Sequence, residues 1–303
     1  MPLSDESFKA LLEVRVHEPQ SIAASYARRA RREEVAPDGV LFVIAADHPA
    51  RGALAVGSNP MAMANRRQLI ERLALAFEHP RVDGVLASAD IMDDLVLLGL
   101  LEGRVAVGTM NRGGLMGAKW EVDDRMTAYD ADHIERAGLD GGKMLLRIDD
   151  EDPGTAPTLE ACGQAVTELA DRHLMAMVEP IAYTKNDLGY AIADNRPEKV
   201  VRATAVASAL GSSSAHTWLK IRADVAALEA MSVSSCPALL LGGPLRDDRA
   251  ATYAAWEESL AHPNCRGLVL GRAMLYPHDG DVAAAVDAAA SLVVARAKEI
   301  ARS

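Results

Sequence analysis

Short, almost continuously apolar runs alternate with amphipathic stretches along most of the chain. The first four runs fall at residues 39–46 (GVLFVIAA), 83–87 (DGVLA), 104–108 (RVAVG) and 143–148 (KMLLRI). Four more follow at 174–179 (LMAMVE), 217–221 (TWLKI), 237–241 (PALLL) and 267–270 (GLVL). Runs this short, with no polar alternation, are the pattern of strands buried on both faces, as in parallel sheets. Between them, residues 65–77, 159–172, 197–210, 248–260 and 281–301 repeat apolar positions at helical spacing. Several of these stretches open near an Asp, Thr or Pro, which suits helix entry.

Eight strands with intervening helices in roughly 250 residues predict an α/β fold, a single (β/α)8 barrel. Residues 1–303 are read as one barrel domain, with 1–36 as an N-terminal helical extension. Its two helical stretches, 5–16 and 19–32, are expected to cover the bottom of the barrel. A doubly wound open sheet is the competing architecture, but the glycine signature of a dinucleotide site is missing after the first strand.

Composition narrows the classes. Apolar residues make up 50% of the chain and aromatic residues only 4%, so Ala, Val, Leu, Ile and Met must fill the interior. A formal charge of −11 argues against binding nucleic acid or anionic lipid through bulk electrostatics. No apolar run approaches the roughly 20 residues needed to span a bilayer. The opening MPLSDESFKA has neither the basic nor the apolar region of a secretory signal. Cys162, Cys236 and Cys265 are odd in number and far apart, unlike a disulfide framework or a zinc site. These features point to a reduced, soluble, cytoplasmic protein.

In a barrel, chemistry gathers where strands run into the loops that follow them. The first strand ends in Asp47-His48 and the fifth in Glu179-Pro180, while the fourth carries Lys143 and Arg147. The sixth carries Lys220 and Arg222; the seventh and eighth end in Gly242-Gly243 and Gly271-Arg272. Side chains alternate across a strand, so Trp218, Lys220 and Arg222 share one face, as do Lys143, Leu145 and Arg147. Buried charge against the helical layer is costly, which favours the barrel mouth for these residues.

Lys220 is the candidate nucleophile. Desolvation and a nearby cation such as Arg222 or Lys143 would lower its pKa, and a neutral amine forms a Schiff base with a carbonyl. A lysine paired for structure, or snorkelling at a strand end, fits the same position. Glu179 beside an amine can shuttle the protons of carbinolamine formation and dehydration, or simply compensate a lysine's charge. Lys143 can hold that carboxylate ionised or keep Lys220 neutral, and a surface lysine at a strand start would look the same. Asp47 can orient a substrate hydroxyl or accept a proton, or it is a cap residue. Gly242, Gly243, Gly271 and Arg272 sit at the usual phosphate position of such barrels, where backbone N–H groups and a guanidinium meet an anion.

Other features are less pointed. The loop 109–130 (TMNRGGLMGAKWEVDDRMTAYD) is long enough for a lid or a subunit contact. The histidines show no HxH or HExxH spacing, which leaves a metal-dependent site unsupported. Residues 149–152 (DDED) read as a solvated acidic loop.

Five motifs together resemble one family. AADHPARGAL is similar to the first-strand motif of class I aldolases of the tagatose 1,6-bisphosphate and sulfofructosephosphate aldolase type. GGKMLLRIDDEDP resembles their fourth strand, MVEPIAY the fifth, TWLKIRA the sixth and LVLGRAMLY the eighth, in the family's order. The wider group includes deoxyribose-phosphate, autoinducer-2 and archaeal fructose-bisphosphate class I aldolases. The resemblance implies a metal-free, cofactor-free (β/α)8 aldolase with Lys220 as the Schiff-base lysine. It further implies Glu179 and Lys143 as acid–base partners, Asp47 at the substrate, and Gly242, Gly243, Gly271 and Arg272 on phosphate.

The chain departs from that pattern at Arg222, where an acidic residue is common, and at Arg147, where an uncharged one is expected. The first-strand motif carries extra residues before Arg51-Gly52, and the seventh strand ends LGGP. Two added cations suggest a substrate with a carboxylate as well as a phosphate. The expected activity is reversible cleavage of a phosphorylated ketose or keto-sugar acid, releasing a product such as dihydroxyacetone phosphate, in a homo-oligomer. The alternatives are a metal-dependent lyase or isomerase, a Schiff-base enzyme for unphosphorylated keto acids, and a catalytically silent sugar-phosphate-binding barrel.

Overall fold

The structure, a computed structural model, describes residues 3–243 and 248–302. Nine strands appear among them: β1 (Leu41–Ala45), β2 (Gly84–Ala87), β3 (Val105–Thr109), β4 (Gly141–Ile148), β5 (Met175–Lys185), β6 (Ala191–Ala193), β7 (Thr217–Arg222), β8 (Ala238–Leu241) and β9 (Cys265–Leu270). All but β6 pair in parallel, β1 with both β2 and β9, and the β4–β5 pairing completes the cylinder. This is the (β/α)8 barrel that the alternation of patterns predicts.

The near-continuous apolar strands follow from two buried faces. In β1, Phe42 and Ile44 face the helical layer, while Leu41, Val43 and Ala45 face inward to meet Leu86, Val107, Met177, Leu239 and Val269. That inner cluster fills the lower barrel. Polar caps fix where helices begin: Asn65, Asp248 and Asp281 each accept a hydrogen bond from the backbone N–H three residues on. Such a cap contributes about 1 kcal/mol.

Two parts of the chain differ from expectation. The helices of the N-terminal extension, Asp5–His17 and Gln20–Arg28, lie outside the barrel rather than beneath it. Arg15 pairs with Asp94 at 2.7 Å, and the Tyr26 hydroxyl donates to Asp93 at 3.0 Å. The floor is closed by residues 29–36. There Arg29 donates to the carbonyls of Arg104 (2.9 Å) and Gly138 (2.6 Å), and Arg32 donates to Asp83 (3.0 Å). Val35 and Ala36 pack onto the inner cluster. Carbonyls and a carboxylate at the strand starts thus satisfy cations that sequence periodicity assigned to a helix. The second difference is β5, which runs through Pro180 to Lys185 and forms an antiparallel hairpin with β6 above the barrel.

Candidate active site

Local periodicity sets the orientation of Lys220. Leu219 and Ile221 belong to the outer core, so Trp218, Lys220 and Arg222 turn inward. The same rule turns Lys143 inward between Gly142 and Met144, and Glu179 inward after Val178. Asp47 extends the inward series of β1. All four are buried, Lys220 at 4% exposure and Lys143 at 2%.

These four side chains meet. Glu179 Oε2 accepts from Lys220 Nζ at 3.1 Å and is also ion-paired with Lys143. Lys143 Nζ lies 3.6 Å from Asp47 Oδ2, and Asp47 is ion-paired with Arg112. Burial lowers the pKa of both lysines, against the pull of Glu179. For Glu179 burial acts upward, but Lys143 and Lys220 together hold it well below the usual carboxylate range. Asp47 and Glu179 supply two negative charges, and Arg112 meets one. The other is shared by two lysines. Lys143 has both carboxylates beside it and Lys220 only one.

Beside Lys220 opens a cavity of about 150 Å³, lined in part by His48, Arg51, Glu179, Lys220, Arg222 and Arg272, and by Gly242, Gly243 and Gly271. Arg51 and Arg272 have no carboxylate within ion-pair distance among the described residues. Burial and then the charge of Arg51 lower the Arg272 pKa, and its Nε is buried without a partner. The same two guanidiniums, after burial itself, hold His48 well below the ordinary histidine value, so its imidazole is neutral. Gly271 cannot be another residue here: a Cβ would lie 2.6 Å from both the Ala45 carbonyl oxygen and His48 Cε1. Gly243 has a φ of +67°, a left-handed conformation that suits glycine. Residues 244–247, which continue this loop, lie outside the described residues.

Two cations expected to be open to substrate are not. Arg147 is fully buried, ion-paired with Asp124 and 3.5 Å from Glu121, and it is not part of the cavity wall. Arg222 does line the cavity, but it binds Asp224 through two nitrogens at 2.9 and 2.8 Å and Asn195 at 2.8 Å. Their charges are met within the chain, so the case for an extra substrate carboxylate falls. The segment 149–152 is likewise tied down: Asp150 binds Lys199 (2.8 Å) and Arg202 (2.7 Å), and Asp152 binds Lys185 (3.1 Å).

The loop 109–130 folds over the β3–β4 side of the mouth. Asn111 pairs with Leu145 like a strand residue, accepting from its N–H at 2.7 Å and donating to its carbonyl at 2.6 Å. Asp124 and Glu121 hold Arg147, and the Met116 N–H donates to the Arg51 carbonyl at 2.9 Å. Sequence reasoning missed Arg51, Arg112 and the cavity position of His48. The available signal was position: all three follow closely on strand ends, as Asp47 does.

A closed (β/α)8 barrel with a buried lysine–carboxylate cluster beneath a cationic cavity defines the class of this protein. Residues 39–290 match the model of the Cgl0159-like family, and the chain belongs to that family. The crystal structure of Cgl0159 from Corynebacterium glutamicum (Brevibacterium flavum) is 48% identical, covering 97% of this chain and 98% of that one, with a TM-score of 0.93. A Schiff-base-forming fructose-1,6-bisphosphate aldolase shares the fold at 17% identity, over 90% of this chain and 99% of that one, with a TM-score of 0.64. An archaeal fructose-1,6-bisphosphate aldolase, with its catalytic lysine bound to the carbinolamine intermediate, does so at 17% identity over the same shares, with a TM-score of 0.63. No curated protein matches the chain. The family shown is thus the Cgl0159-like one, and the solved class I aldolases share its fold. Among the described residues, no three His, Cys, Asp or Glu side chains are grouped to hold a metal ion, and no helix is long and apolar enough to cross a membrane.

Proposed function

We propose that this protein is a class I aldolase, a cytoplasmic carbon–carbon lyase of carbohydrate metabolism that cleaves a phosphorylated ketose or keto-sugar acid reversibly. The observation that carries the reading is a buried Lys220 amine, 3.1 Å from Glu179, at the edge of a cavity holding two guanidiniums that have no carboxylate partner among the described residues. Solved Schiff-base aldolases on the same barrel support it.

In this reading Lys220 Nζ attacks the substrate ketone. Glu179, kept ionised by Lys143, relays protons between the lysines and the carbinolamine oxygen, which leaves as water and gives the iminium. The iminium draws electrons from the adjacent C–C bond while a base, Asp47 or neutral His48, takes the proton of the substrate hydroxyl. The enamine left behind is protonated and hydrolysed, releasing a product such as dihydroxyacetone phosphate. Arg51 and Arg272, with the backbone at Gly242, Gly243 and Gly271, bind the phosphate. Needing neither metal nor cofactor, the protein works as a homo-oligomer, and exposed Leu115, Met116 and Trp120 on the 109–130 loop offer a contact.

The test is covalent trapping. Incubation with dihydroxyacetone phosphate or candidate sugar phosphates, followed by borohydride, adds the ligand's mass to the peptide carrying Lys220. Absence of an adduct with every ketone tried, or cleavage that EDTA abolishes, overturns the reading. A sedimentation mass equal to one chain overturns the homo-oligomer.

A further inference from the structure

The loop between β3 and the helix Ala131–Arg136 contributes one side chain to the catalytic cluster itself. Arg112 is 6% exposed, and its guanidinium lies against Asp47, a residue 65 positions earlier in the chain. From there the charges alternate: Arg112, Asp47, Lys143, Glu179, Lys220. Each link is an ion-pair contact, and the last member is the proposed nucleophile.

We propose that Arg112 is a positioning residue: by occupying Asp47 it leaves Glu179 as the one counter-charge for two lysines, so that Lys220 stands as a free amine. This rests on the Schiff-base reading and extends it to a residue on the covering loop. Remove the guanidinium and the cluster holds two carboxylates and two lysines. Both lysines then keep their protons, and Lys220 must lose one before it can attack.

Other charged groups around Lys220 do not alter this count. Arg222, on the same strand, is met by Asp224. Arg51, which follows β1, favours the free amine; Arg272 follows β9, and His48 beside these two cations is neutral. Burial lowers the pKa of Arg112 to about 10, against the pull of Asp124 and Glu179 and with Arg147 near, so it remains charged through the neutral range; Asp124 is itself ion-paired with Arg147.

The experiment follows the pH dependence of borohydride trapping with dihydroxyacetone phosphate. In the wild type, trapping rises with pH as Lys220 loses its proton, below the ordinary lysine range. Arg112→Met moves that rise upward by about one pH unit, which at a fixed pH on the slope is a tenfold loss of free amine. Arg112→Lys restores the wild-type midpoint. Asp47→Asn moves it the other way, downward, and in the double variant Arg112→Met/Asp47→Asn the two shifts cancel.

A loop anchor without electrostatic influence gives a different outcome: yields fall equally at every pH, and the double variant is worse than either single one. That result overturns the inference. If Arg112→Met does not fold, the isosteric Asp47→Asn variant decides: an unmoved or raised midpoint overturns the proposal. A wild type that never traps a ketone defeats the aldolase reading instead, so the two failures are distinguishable.

Discussion

The floor and the mouth of the barrel carry the same residue types and use them in opposite ways. On the floor, Asp83 accepts from the Phe42 N–H at 2.7 Å and pairs with Arg32 (3.0 Å) and Arg81 (3.2 Å). Asp140 accepts from the Ala106 N–H at 2.7 Å and lies 3.7 Å from Arg29. Every one of these cations has a carboxylate or carbonyl. At the mouth, Arg51 and Arg272 face one cavity without a counter-charge among the described residues. Crowding like charges costs stability unless something neutralises them. Charge at one end is met within the fold; at the other it faces a cavity, where the proposed anion would bind.

The sharpest way to break this comparison is at Lys220. Lys220→Met keeps the length of the side chain and removes the amine, and trapping is expected to fall roughly 10⁴-fold or more while the fold persists. Adduct formation on another lysine at the wild-type rate would refute its assignment. The floor gives the next largest effect. Asp83→Ala leaves the Arg32 guanidinium and the buried Phe42 N–H without an acceptor, while Arg81 keeps Asp38, at a cost of about 3 kcal/mol in denaturant unfolding. Trapping per folded molecule should not change, and a loss there would mean the floor is coupled to the site.

At the mouth the signs reverse. Arg272→Met or Arg51→Met should weaken binding of a phosphorylated ketone by about 10- to 100-fold, the loss of a ~1.5–3 kcal/mol hydrogen bond to a charged group. Stability without ligand should hold or rise, because a like-charge contact is relieved. Equal losses for phosphorylated and unphosphorylated ketones would contradict the anion site. The smallest effect is inorganic phosphate itself. At ten times its Kd it adds about 1.4 kcal/mol, a rise of a few degrees in Tm. That rise should vanish in Arg272→Met, and its persistence there would place phosphate elsewhere.

Much of this was legible in the chain. All eight barrel strands were readable, because strands buried on both faces leave apolar runs too short for a helix, set between longer amphipathic stretches. Lys220, Glu179 and Lys143 stood out as charges inside such runs, and the structure brings them together with Asp47. The hairpin strand Ala191–Ala193 was not legible, since it is short and half exposed. Nor was the pairing of Arg147 and Arg222: nothing in LLRID or LKIRA tells that Asp124 and Asp224 will meet them. Arg112 and Arg51 lie in loops, where no periodicity gives a side chain its direction.

Sequence alone determined the eight barrel strands, the barrel and which strand residues point inward, because the period of two in a strand is a local property of the backbone. Tertiary structure decided which of the inward and loop cations are already neutralised, and so which remain for a ligand. That depends on carboxylates brought from distant parts of the chain, and no local rule carries the distance between them.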